Sequence, residues 1–368
     1  MKALRTCFRL LVGLVFVFSG FVKGVDPMGT AFRIEDYFIA FGLPWAGQFA
    51  LGLSIILCML EFITGISLLF NLWIKKTAWL LLLMMTYFTI LTFIDAIWNL
   101  VPDCGCFGDA VKLTNTQTFI KNLVMMLFVV PVFMWRNKYR SALNVKLDIM
   151  LLFLTMFAFA GMSVYSARHL PLIDFMAWRK GNKVNKTENL PVKFYVTYRN
   201  KKTGEKKEYL ASNYPWNDSE WMAQWVFDSQ RVDDPNTGKA ATLLVEDMQG
   251  NDVTASIIQN PDYQFLLVVY NLKETNKEAF LRILPFFKKA RTEGMPFICI
   301  TTAMPAEIRK FRLTHGTAFD FYNADDVILK TMVRSNPGLI LLKDGVVIDK
   351  WAFRDFPPWN EVSDKYFK

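Results

Sequence analysis

Histidine and cysteine are both scarce in this sequence, with two and five residues among 368. The scarcity of these ligands weighs against a metal centre. The best available ligand set is Cys104, Cys106 and His169, because two thiolates would suit a soft metal ion. Metal-binding cysteines are usually spaced more widely than these two, however. A metal site is therefore the least favoured interpretation of these residues.

Motifs for binding DNA or RNA are also absent, although the formal net charge is +9. In the N-terminal half, the basic residues cluster beside long apolar runs, a pattern that reports membrane topology. The aromatic content of 15% and the 17 methionines likewise favour a membrane protein. We therefore expect the lipid bilayer to be one partner of the chain, and we expect no nucleic-acid partner.

Five apolar segments are candidates for membrane spans, each of which needs about 20 residues once flanking residues are included. They are Leu10–Val22, Trp45–Leu72, Ala78–Trp98, Thr118–Trp135 and Leu147–Tyr165. The first follows Lys2, Arg5 and Arg9, as the apolar part of a signal peptide would, but no Ala-X-Ala cleavage site comes after it. We therefore expect a retained span. The apolar spacing within Thr30–Phe41 predicts a helix that lies on the membrane surface.

Basic residues mark alternate loops, as the positive-inside rule requires of cytoplasmic loops. They precede the first span, they join the second span to the third at Lys75 and Lys76, and they follow the fourth span from Arg136 to Arg140. The pattern predicts a cytoplasmic N-terminus and places everything after about Arg168 outside. In a bacterium, this corresponds to an inner (cytoplasmic) membrane protein with a periplasmic C-terminal domain.

Two cysteines lie in a polar loop between the third and fourth spans, in Pro102-Asp103-Cys104-Gly105-Cys106-Phe107-Gly108-Asp109. A disulfide between Cys104 and Cys106 would close a small, strained ring and would be easily reduced. This favours a redox pair, and the alternative is a structural turn. The remaining cysteines lie in apolar segments and are expected to behave as small hydrophobic residues: Cys7, Cys58 and Cys299.

Three of the ionisable residues within the predicted spans are functional candidates, because such groups are costly there and often functional. They are Glu61 in the second span, Asp95 one turn before the end of the third, and Lys121 at the start of the fourth. Each is a candidate for moving protons during thiol chemistry, with a quinone as the candidate oxidant by analogy. The alternative for Glu61 is a structural ion pair or hydrogen bond within the helix bundle.

Three patterns in the first 135 residues resemble those of the DoxX/MauE group of small membrane proteins. They are Arg9-X3-Gly13-X2-Phe16-X2-Ser19-Gly20-X2-Lys23 in the first span, Glu61 followed by Gly65 in the second, and Asp103-Cys104-Gly105-Cys106-Phe107-Gly108-Asp109 before Lys121-Asn122. The resemblance implies a four-helix bundle. MauE members are thought to work with a thioredoxin-like partner in disulfide formation or electron transfer outside the cytoplasm.

Strands and helices alternate from Ala240 onward, which predicts an α/β layer structure. The expected strands are Phe265–Tyr270, Phe297–Thr301, Phe319–Tyr322, Gly338–Leu342 and Val346–Trp351, and the expected helices are Glu274–Arg291 and Pro305–Leu313. Upstream, Pro191–Leu210 predicts a β-hairpin. Trp221 and Trp225 have the spacing of one helical face.

This order of elements resembles a thioredoxin-like domain of the TlpA and peroxiredoxin kind. Ser335-Asn336-Pro337 stands at the place of that family's cis-proline. The family's Cys-X-X-Cys should follow the strand Phe265–Tyr270, but Asn271-Leu272-Lys273-Glu274-Thr275-Asn276-Lys277 has no cysteine. Dithiol chemistry needs a thiolate nucleophile and a resolving thiol. The domain therefore cannot be a dithiol oxidoreductase by itself.

We thus predict a multi-pass α-helical membrane bundle followed by an α/β thioredoxin-like extracytoplasmic domain. The predicted boundaries are 1–136 for a four-helix DoxX/MauE-like bundle, 137–169 for a basic linker and fifth transmembrane helix, 170–239 for a β-rich extracytoplasmic connector, and 240–368 for the degenerate thioredoxin-like domain. This architecture also resembles a set of uncharacterised membrane proteins from Bacteroidetes.

The favoured function is a membrane-embedded thiol–disulfide or electron-relay component. It would assist the maturation of extracytoplasmic partners through the Cys-X-Cys loop. The alternative is a non-catalytic membrane scaffold or assembly factor whose thioredoxin-like domain binds a partner, since a fold alone does not determine a function. Both hypotheses require an extracytoplasmic or membrane protein partner.

Overall fold

The computed structural model describes residues 2–101, 103–139, 141, 143–184, 193–201, 203–210, 213, 215, 218–233 and 243–368. The chain divides into two units, one of residues Met1–Val184 with Val245–Lys368 and one of residues Asn185–Leu244. Pro102 of the cysteine-containing loop, Arg140 of the basic linker and Pro191 of the expected hairpin lie outside the described residues.

Six helices make up the N-terminal part of the first unit. They are α1 (Lys2–Val25), α2 (Pro27–Ala40), α3 (Ala50–Phe70), α4 (Ile74–Trp98), α5 (Asn115–Met134) and α6 (Val145–Arg168). All except α2 are long and apolar enough to cross a membrane, and a 3-10 turn at Pro44–Phe49 extends α3 toward its N-terminus. The five expected spans are therefore confirmed as apolar helices.

Local sequence signals set the ends of these helices. Asp26 caps α2, because its carboxylate accepts the N–H of Gly29 at 3.2 Å, and Pro27 suits the first helical position. Thr114 and Gln117 form a capping box at the start of α5. The amphipathic helix expected at Thr30–Phe41 therefore begins earlier, at Pro27.

Helices α1 and α3 approach each other closely because glycines line their contact. A Cβ atom on Gly20 would lie 2.6 Å from the backbone nitrogen of Phe62, and one on Gly65 would lie 2.5 Å from that of Val17. Larger residues at either position would push the helices apart. This crossing places the polar end of α1 against the middle of α3.

Within its described residues, the second unit forms a three-stranded antiparallel sheet with one short helix. Its elements are β1 (Lys193–Asn200), β2 (Lys206–Leu210), α7 (Ser219–Gln224) and β3 (Trp225–Asp233), and the strand order is β2-β1-β3. The pairing of β1 with β2 confirms the expected hairpin. The helical prediction was wrong for Trp225, which begins β3 because α7 ends at Gln224. Its indole still stacks on that of Trp221, with 5.8 Å between ring centroids.

A six-stranded sheet with helices forms the C-terminal part of the first unit. Its elements are β4 (Val245–Glu246), α8 (Thr254–Ile258), β5 (Gln264–Val269), α9 (Lys277–Thr292), β6 (Phe297–Thr301), α10 (Pro305–His315), β7 (Asp320–Ala324), α11 (Asp326–Met332), β8 (Gly338–Lys343), β9 (Val346–Ala352) and α12 (Trp359–Tyr366). The strand order is β4-β7-β6-β5-β8-β9. Strands β5, β6 and β7 run parallel, whereas β4, β8 and β9 pair antiparallel with their neighbours.

The centre of this sheet is fully buried and mostly apolar, as expected for strands covered on both faces. All six residues of β5 and all five of β6 are buried. The predicted strands and the two predicted helices of this part are confirmed, with ends shifted by a few residues. The peptide bond between Asn336 and Pro337 is cis, at the position where the resemblance placed it.

The segment after α6 runs beside strand β9 and joins the membrane helices to the sheet. The backbone N–H groups of Gly181 and Val184 donate to the carbonyls of Val347 and Gly345, each at 2.7 Å. Trp178 in this segment is buried. The segment is thus an integral part of the first unit.

Candidate functional site

The cysteine loop, defined as residues 103–109, joins α4 to α5 and turns at two glycines. Gly105 and Gly108 have φ angles of +62° and +52°, in the left-handed region that favours glycine. The Asp103 carboxylate accepts the N–H of Gly105 at 3.0 Å. This turn places the sulfur atoms of Cys104 and Cys106 2.8 Å apart. A small movement would bring them to the bond length of about 2.05 Å that a disulfide requires.

The two thiols differ in acidity because of their surroundings. The Cys104 thiol donates a hydrogen bond to the Cys106 sulfur, which lowers the pKa of Cys106 to about 6 against the opposing effect of burial. The ammonium groups of Lys121 and Lys23 lower it further. The same contact, together with burial, raises the pKa of Cys104. Cys106 is therefore the thiolate at neutral pH, and the thiolate is the nucleophile in sulfur chemistry.

Cys104 and Cys106 line a cavity of about 110 Å³ that is enclosed by helices α1 to α5 and the cysteine loop. Most of its wall is apolar. Its polar wall consists mainly of Ser19, Lys23, Tyr37, Glu61, Lys121 and Asn122. The structure thus brings both cysteines together with Glu61 and Lys121, two of the three ionisable residues that the sequence singled out.

Glu61 forms a buried ion pair with the last turn of α1. Its Oε1 atom lies 2.5 Å from Nζ of Lys23, and the two residues are only 2% and 5% exposed. The Ser19 hydroxyl lies 2.8 Å from Oε2 of Glu61 and 2.9 Å from the carbonyl oxygen of Cys106, so that it can donate to either. The ion pair expected of a structural role is present. The same carboxylate also lies one hydroxyl away from the cysteine loop.

Asp95 is near the cavity but is not among the residues that line it. The Tyr37 hydroxyl donates to Oδ2 of Asp95, and Tyr37 itself lines the cavity. Burial, together with this hydrogen bond, raises the pKa of Tyr37. The second carboxylate oxygen of Asp95 is buried and has no hydrogen-bond partner within the described part of the chain. Asp95 therefore reaches the cavity through Tyr37, and its role in proton handling stays a prediction.

Lys121 and Asn122 face the cavity from the first turns of α5. The Lys121 ammonium lies 4.6 Å from the centroid of the Phe107 ring, directly after Cys106 in the loop. The Asn122 side-chain amide donates to the Thr92 hydroxyl at 3.0 Å. These contacts tie α5 to α4 and to the loop, and they place the Lys121 ammonium near the thiol pair.

Tyr37 and Arg33 of α2 are functional candidates that the sequence analysis missed. Both line the cavity, and Arg33 also lies 3.4 Å from the carboxylate of Asp103. The available signal was the amphipathic pattern of Thr30–Phe41. That pattern predicts an apolar and a polar face, but it does not say that the helix covers the cysteine loop.

His169 does not join the cysteines. Its Nδ1 atom lies 2.6 Å from the carboxylate of Asp355, and its ring stacks on that of Tyr165. Within the described ranges, no group of three or more cysteine, histidine or acidic side chains is arranged to hold a metal ion. The ligand set considered for a soft metal is therefore not assembled.

The other cysteines stand apart from the pair. Cys58 and Cys299 are buried, whereas Cys7 is exposed on α1. Burial raises the pKa of Cys299, which lies in strand β6. These surroundings agree with the interpretation of Cys58 and Cys299 as small hydrophobic residues.

A thioredoxin-like domain would carry its dithiol in the segment after β5. That segment occupies the same place in this fold, but it has no cysteine. Residues 271–276 follow β5 and lead into α9, which Asn276 caps. The Asn336 side-chain amide, beside the cis-proline, donates to the carbonyl of Asn271 at 2.7 Å. The backbone geometry of this face is therefore fixed, although the cysteines are missing.

Comparisons with known proteins found matches to parts of the chain. Residues 1–135 match the family model described as methylamine utilisation protein MauE. Protein TlpB of Flavobacterium psychrophilum is 26% identical over 141 residues, which are 37% of this chain and 38% of TlpB. The match therefore spans well under two thirds of that relative. No solved structure matches the chain.

The MauE match covers the helices that carry the cysteine loop, and the six-stranded sheet with its cis-proline has the form that a thioredoxin-like domain requires. The chain thus has a MauE-type, DoxX-like membrane domain at residues 1–135, and its overall organisation fits a fusion of this domain to a thioredoxin-like one.

Proposed function

We propose that this chain is a membrane thiol–disulfide component in which Cys104 and Cys106 alternate between dithiol and disulfide. One observation carries the proposal. Two sulfurs 2.8 Å apart belong to residues that line a single cavity with Lys121 and the Lys23–Glu61 pair. The similarity to MauE and to TlpB supports a role in thiol redox chemistry or in the maturation of extracytoplasmic proteins.

The proposed substrate is a reduced cysteine pair on an extracytoplasmic protein. A thiolate of that protein attacks the Cys104–Cys106 disulfide, so that the intramolecular S–S bond breaks and a mixed disulfide forms. The second thiolate of the substrate then breaks the mixed disulfide. The substrate becomes a disulfide and gives up two electrons, and Cys104 and Cys106 return to thiols by taking two electrons and two protons.

Reoxidation of the pair needs an acceptor of two electrons and two protons, and we propose a membrane quinone. The cavity wall fits such a group in its chemistry, because it combines apolar side chains with the Lys121 ammonium as a donor for a carbonyl oxygen. At about 110 Å³ the cavity is somewhat smaller than the roughly 150 Å³ that holds benzene in an engineered protein. Admission of the ring alone would therefore require the cavity to widen.

The residues of this chain would then handle the charges. Lys121 and Lys23 stabilise the Cys106 thiolate. When the S–S bond forms, Cys104 loses its proton and the two sulfurs together give up two electrons to the acceptor. Glu61 is the carboxylate in the cavity wall that can take up a proton released from Cys104. We further propose that the chain lies in the inner membrane of a bacterium with the cysteine loop and the thioredoxin-like domain in the periplasm, as the charge pattern of the loops predicts.

Thiol trapping in cells tests the proposal. The variant used has serine in place of Cys7, Cys58 and Cys299, so that only Cys104 and Cys106 can react. The cells are quenched with acid, and the free thiols are then alkylated. We expect the pair to shift toward the dithiol when respiration is blocked and to return to the disulfide when it resumes. A pair that stays in one state under every condition overturns the proposal.

A second candidate function is a scaffold that recruits a partner through its thioredoxin-like domain. It is favoured by the absence of cysteine from residues 271–277. In a strain that lacks the gene, the double variant Cys104→Ser/Cys106→Ser should then restore the lost phenotype. Loss of restoration at a normal protein level would exclude the scaffold and support thiol chemistry.

A further inference from the structure

Arg334 connects the thioredoxin-like domain to the membrane domain through a buried guanidinium. It lies between α11 and the cis-proline and is 5% exposed. Its Nε atom donates to the carboxylate of Asp26 at 2.9 Å, and its Nη2 atom donates to that of Asp109 at 2.5 Å. Its Nη1 atom donates to the carbonyl of Lys330 at 2.7 Å. All three guanidinium nitrogens are therefore engaged.

Both carboxylates occupy structural positions in the membrane domain. Asp109 is the last residue of the cysteine loop, and Asp26 caps α2. Gly29, on the first turn of α2, leaves room for the guanidinium, since a Cβ atom there would lie 2.8 Å from Nη2 of Arg334. One arginine thus fixes the end of the cysteine loop and the start of the helix that covers it.

The opposite end of the loop is held from the same helix. Arg33 of α2 lies 3.4 Å from the carboxylate of Asp103, and its side chain packs on Gly105 so closely that a Cβ atom there would lie 3.1 Å away. The loop is therefore clamped on both sides of the two cysteines. Arg334 holds one side directly and supports the other through α2.

The face of the thioredoxin-like domain that takes part in this contact is the one that lacks its dithiol. The Tyr270 ring, immediately before the segment 271–277, meets the Phe32 ring of α2 edge to face at 6.0 Å. The Lys330 ammonium lies 4.8 Å from the centroid of the same Phe32 ring. The position of the missing cysteines and the cis-proline loop are both turned toward α2 and the cysteine loop.

We infer that Arg334 is a positioning residue for the thiol pair, through which the thioredoxin-like domain holds Cys104 and Cys106 against the cavity and restricts their access from outside. The inference rests on the proposed function, because it assigns a purpose to the placement of a redox pair. In this arrangement, the thioredoxin-like domain acts on the thiols of the membrane domain and needs none of its own.

The test measures the alkylation of Cys104 and Cys106 in the purified, reduced full-length chain, with the other three cysteines replaced by serine. A membrane-impermeant maleimide is used over a range of pH, and Arg334→Gln is compared with Arg309→Gln, which changes an exposed arginine of the same domain. We expect Arg334→Gln to raise the limiting rate at high pH about tenfold, because the half-buried carboxylates of Asp26 and Asp109 lose the buried guanidinium that pairs with both, which favours local opening of the loop. Arg309→Gln should leave the rate unchanged.

Two further variants keep the result interpretable if Arg334→Gln does not fold. Asp109→Ala removes the contact from the loop side and should raise the rate similarly, and Arg334→Lys, which keeps the charge but loses the forked geometry, should give a smaller rise. Unchanged rates in both Arg334→Gln and Asp109→Ala would overturn the inference and leave thiol cycling untouched. A pair that never cycles in cells would instead reject the proposed function, whatever these rates are.

Discussion

Cys104 and Cys106 are the same kind of side chain, and their neighbours make them chemically different. The hydrogen bond from Cys104, followed by the charges of Lys121 and Lys23, lowers the pKa of Cys106 to about 6 although burial opposes this. An unperturbed thiol titrates near 8.5. At neutral pH the pair therefore holds one thiolate beside one thiol, which is the state from which thiol–disulfide exchange starts.

The pH dependence of alkylation follows from this pKa. The rate for the reduced chain should fall as the pH drops through about 6, because Cys106 takes up a proton there, and it should level off above that value. Lys121→Met removes one of the lowering charges and should shift the midpoint to higher pH. Lys112→Met is the control, since its ammonium is mostly exposed and faces Asp109 at 3.8 Å. Identical midpoints for wild type and Lys121→Met would contradict the assignment.

The buried pair of Lys23 and Glu61 predicts a large effect on stability. Glu61→Gln leaves the Lys23 ammonium buried without its counter-charge, which should lower the free energy of unfolding by about 3–5 kcal/mol. The double variant Lys23→Met/Glu61→Leu replaces the pair by apolar groups, and its free energy of unfolding should fall much less. Thermal unfolding in a mild detergent measures both. Equal stability of Glu61→Gln and wild type would show that the pair is not held as the structure describes.

At the scale of elements, the contact between α1 and α3 determines where the charged groups of the site meet. The glycines at this contact allow the backbones to touch, and Ser19 and Lys23 of α1 then reach Glu61 of α3. Helix α2 closes the cavity from the other side through Tyr37 and Arg33. The site therefore depends on the spacing of helices as much as on the identity of its polar residues.

Substitution of the contact glycines tests this dependence. Gly20→Ala would place a Cβ atom 2.6 Å from the backbone of Phe62, so that α1 and α3 must separate. We expect the free energy of unfolding to fall by about 1–3 kcal/mol. Gly52→Ala in α3 is the matched control, because no atom lies within 4 Å of the added group. In this control the free energy of unfolding should stay the same or rise by up to about 1 kcal/mol, because alanine has the higher helix propensity. Similar losses in the two variants would argue against a close α1–α3 contact.

Much of the fold could be predicted from the sequence, since apolar length and strand patterns are local signals. The five long helices and the strands around Phe265 and Phe297 follow from runs of apolar residues. The end of α7 was missed because Trp221 and Trp225 fit both a helical face and a strand start. Short elements such as α11 and α12 were also missed, because their patterns are too brief to stand out.

The candidate site was predictable only in part. Cys104 and Cys106 stood out by their polar surroundings, and Glu61 and Lys121 by their position within apolar spans. Contacts between distant parts of the chain carry no such signal. Arg334 lies 225 residues from Asp109 in the sequence, and nothing in either segment predicts that they meet. Tertiary packing decides such contacts.

At the scale of the whole chain, the sulfur chemistry and the thioredoxin-like fold belong to different parts of the sequence. The MauE-type domain has the cysteine pair, and the C-terminal domain has the fold without cysteines at residues 271–277. Within the first structural unit, Arg334 joins the two by contacting Asp26 and Asp109. Under the proposed function, the thioredoxin-like domain positions a membrane thiol pair and needs no dithiol of its own.

A redox titration of the purified chain tests the central claim most directly. The variant that retains only Cys104 and Cys106 is equilibrated in glutathione or dithiothreitol buffers, and its alkylated mass is measured. We predict one transition in which both thiols are lost together, with the slope of a two-electron couple and a midpoint above the roughly −300 mV below which structural disulfides lie. A pair that stays fully reduced, or a disulfide that persists below that potential, would contradict the account.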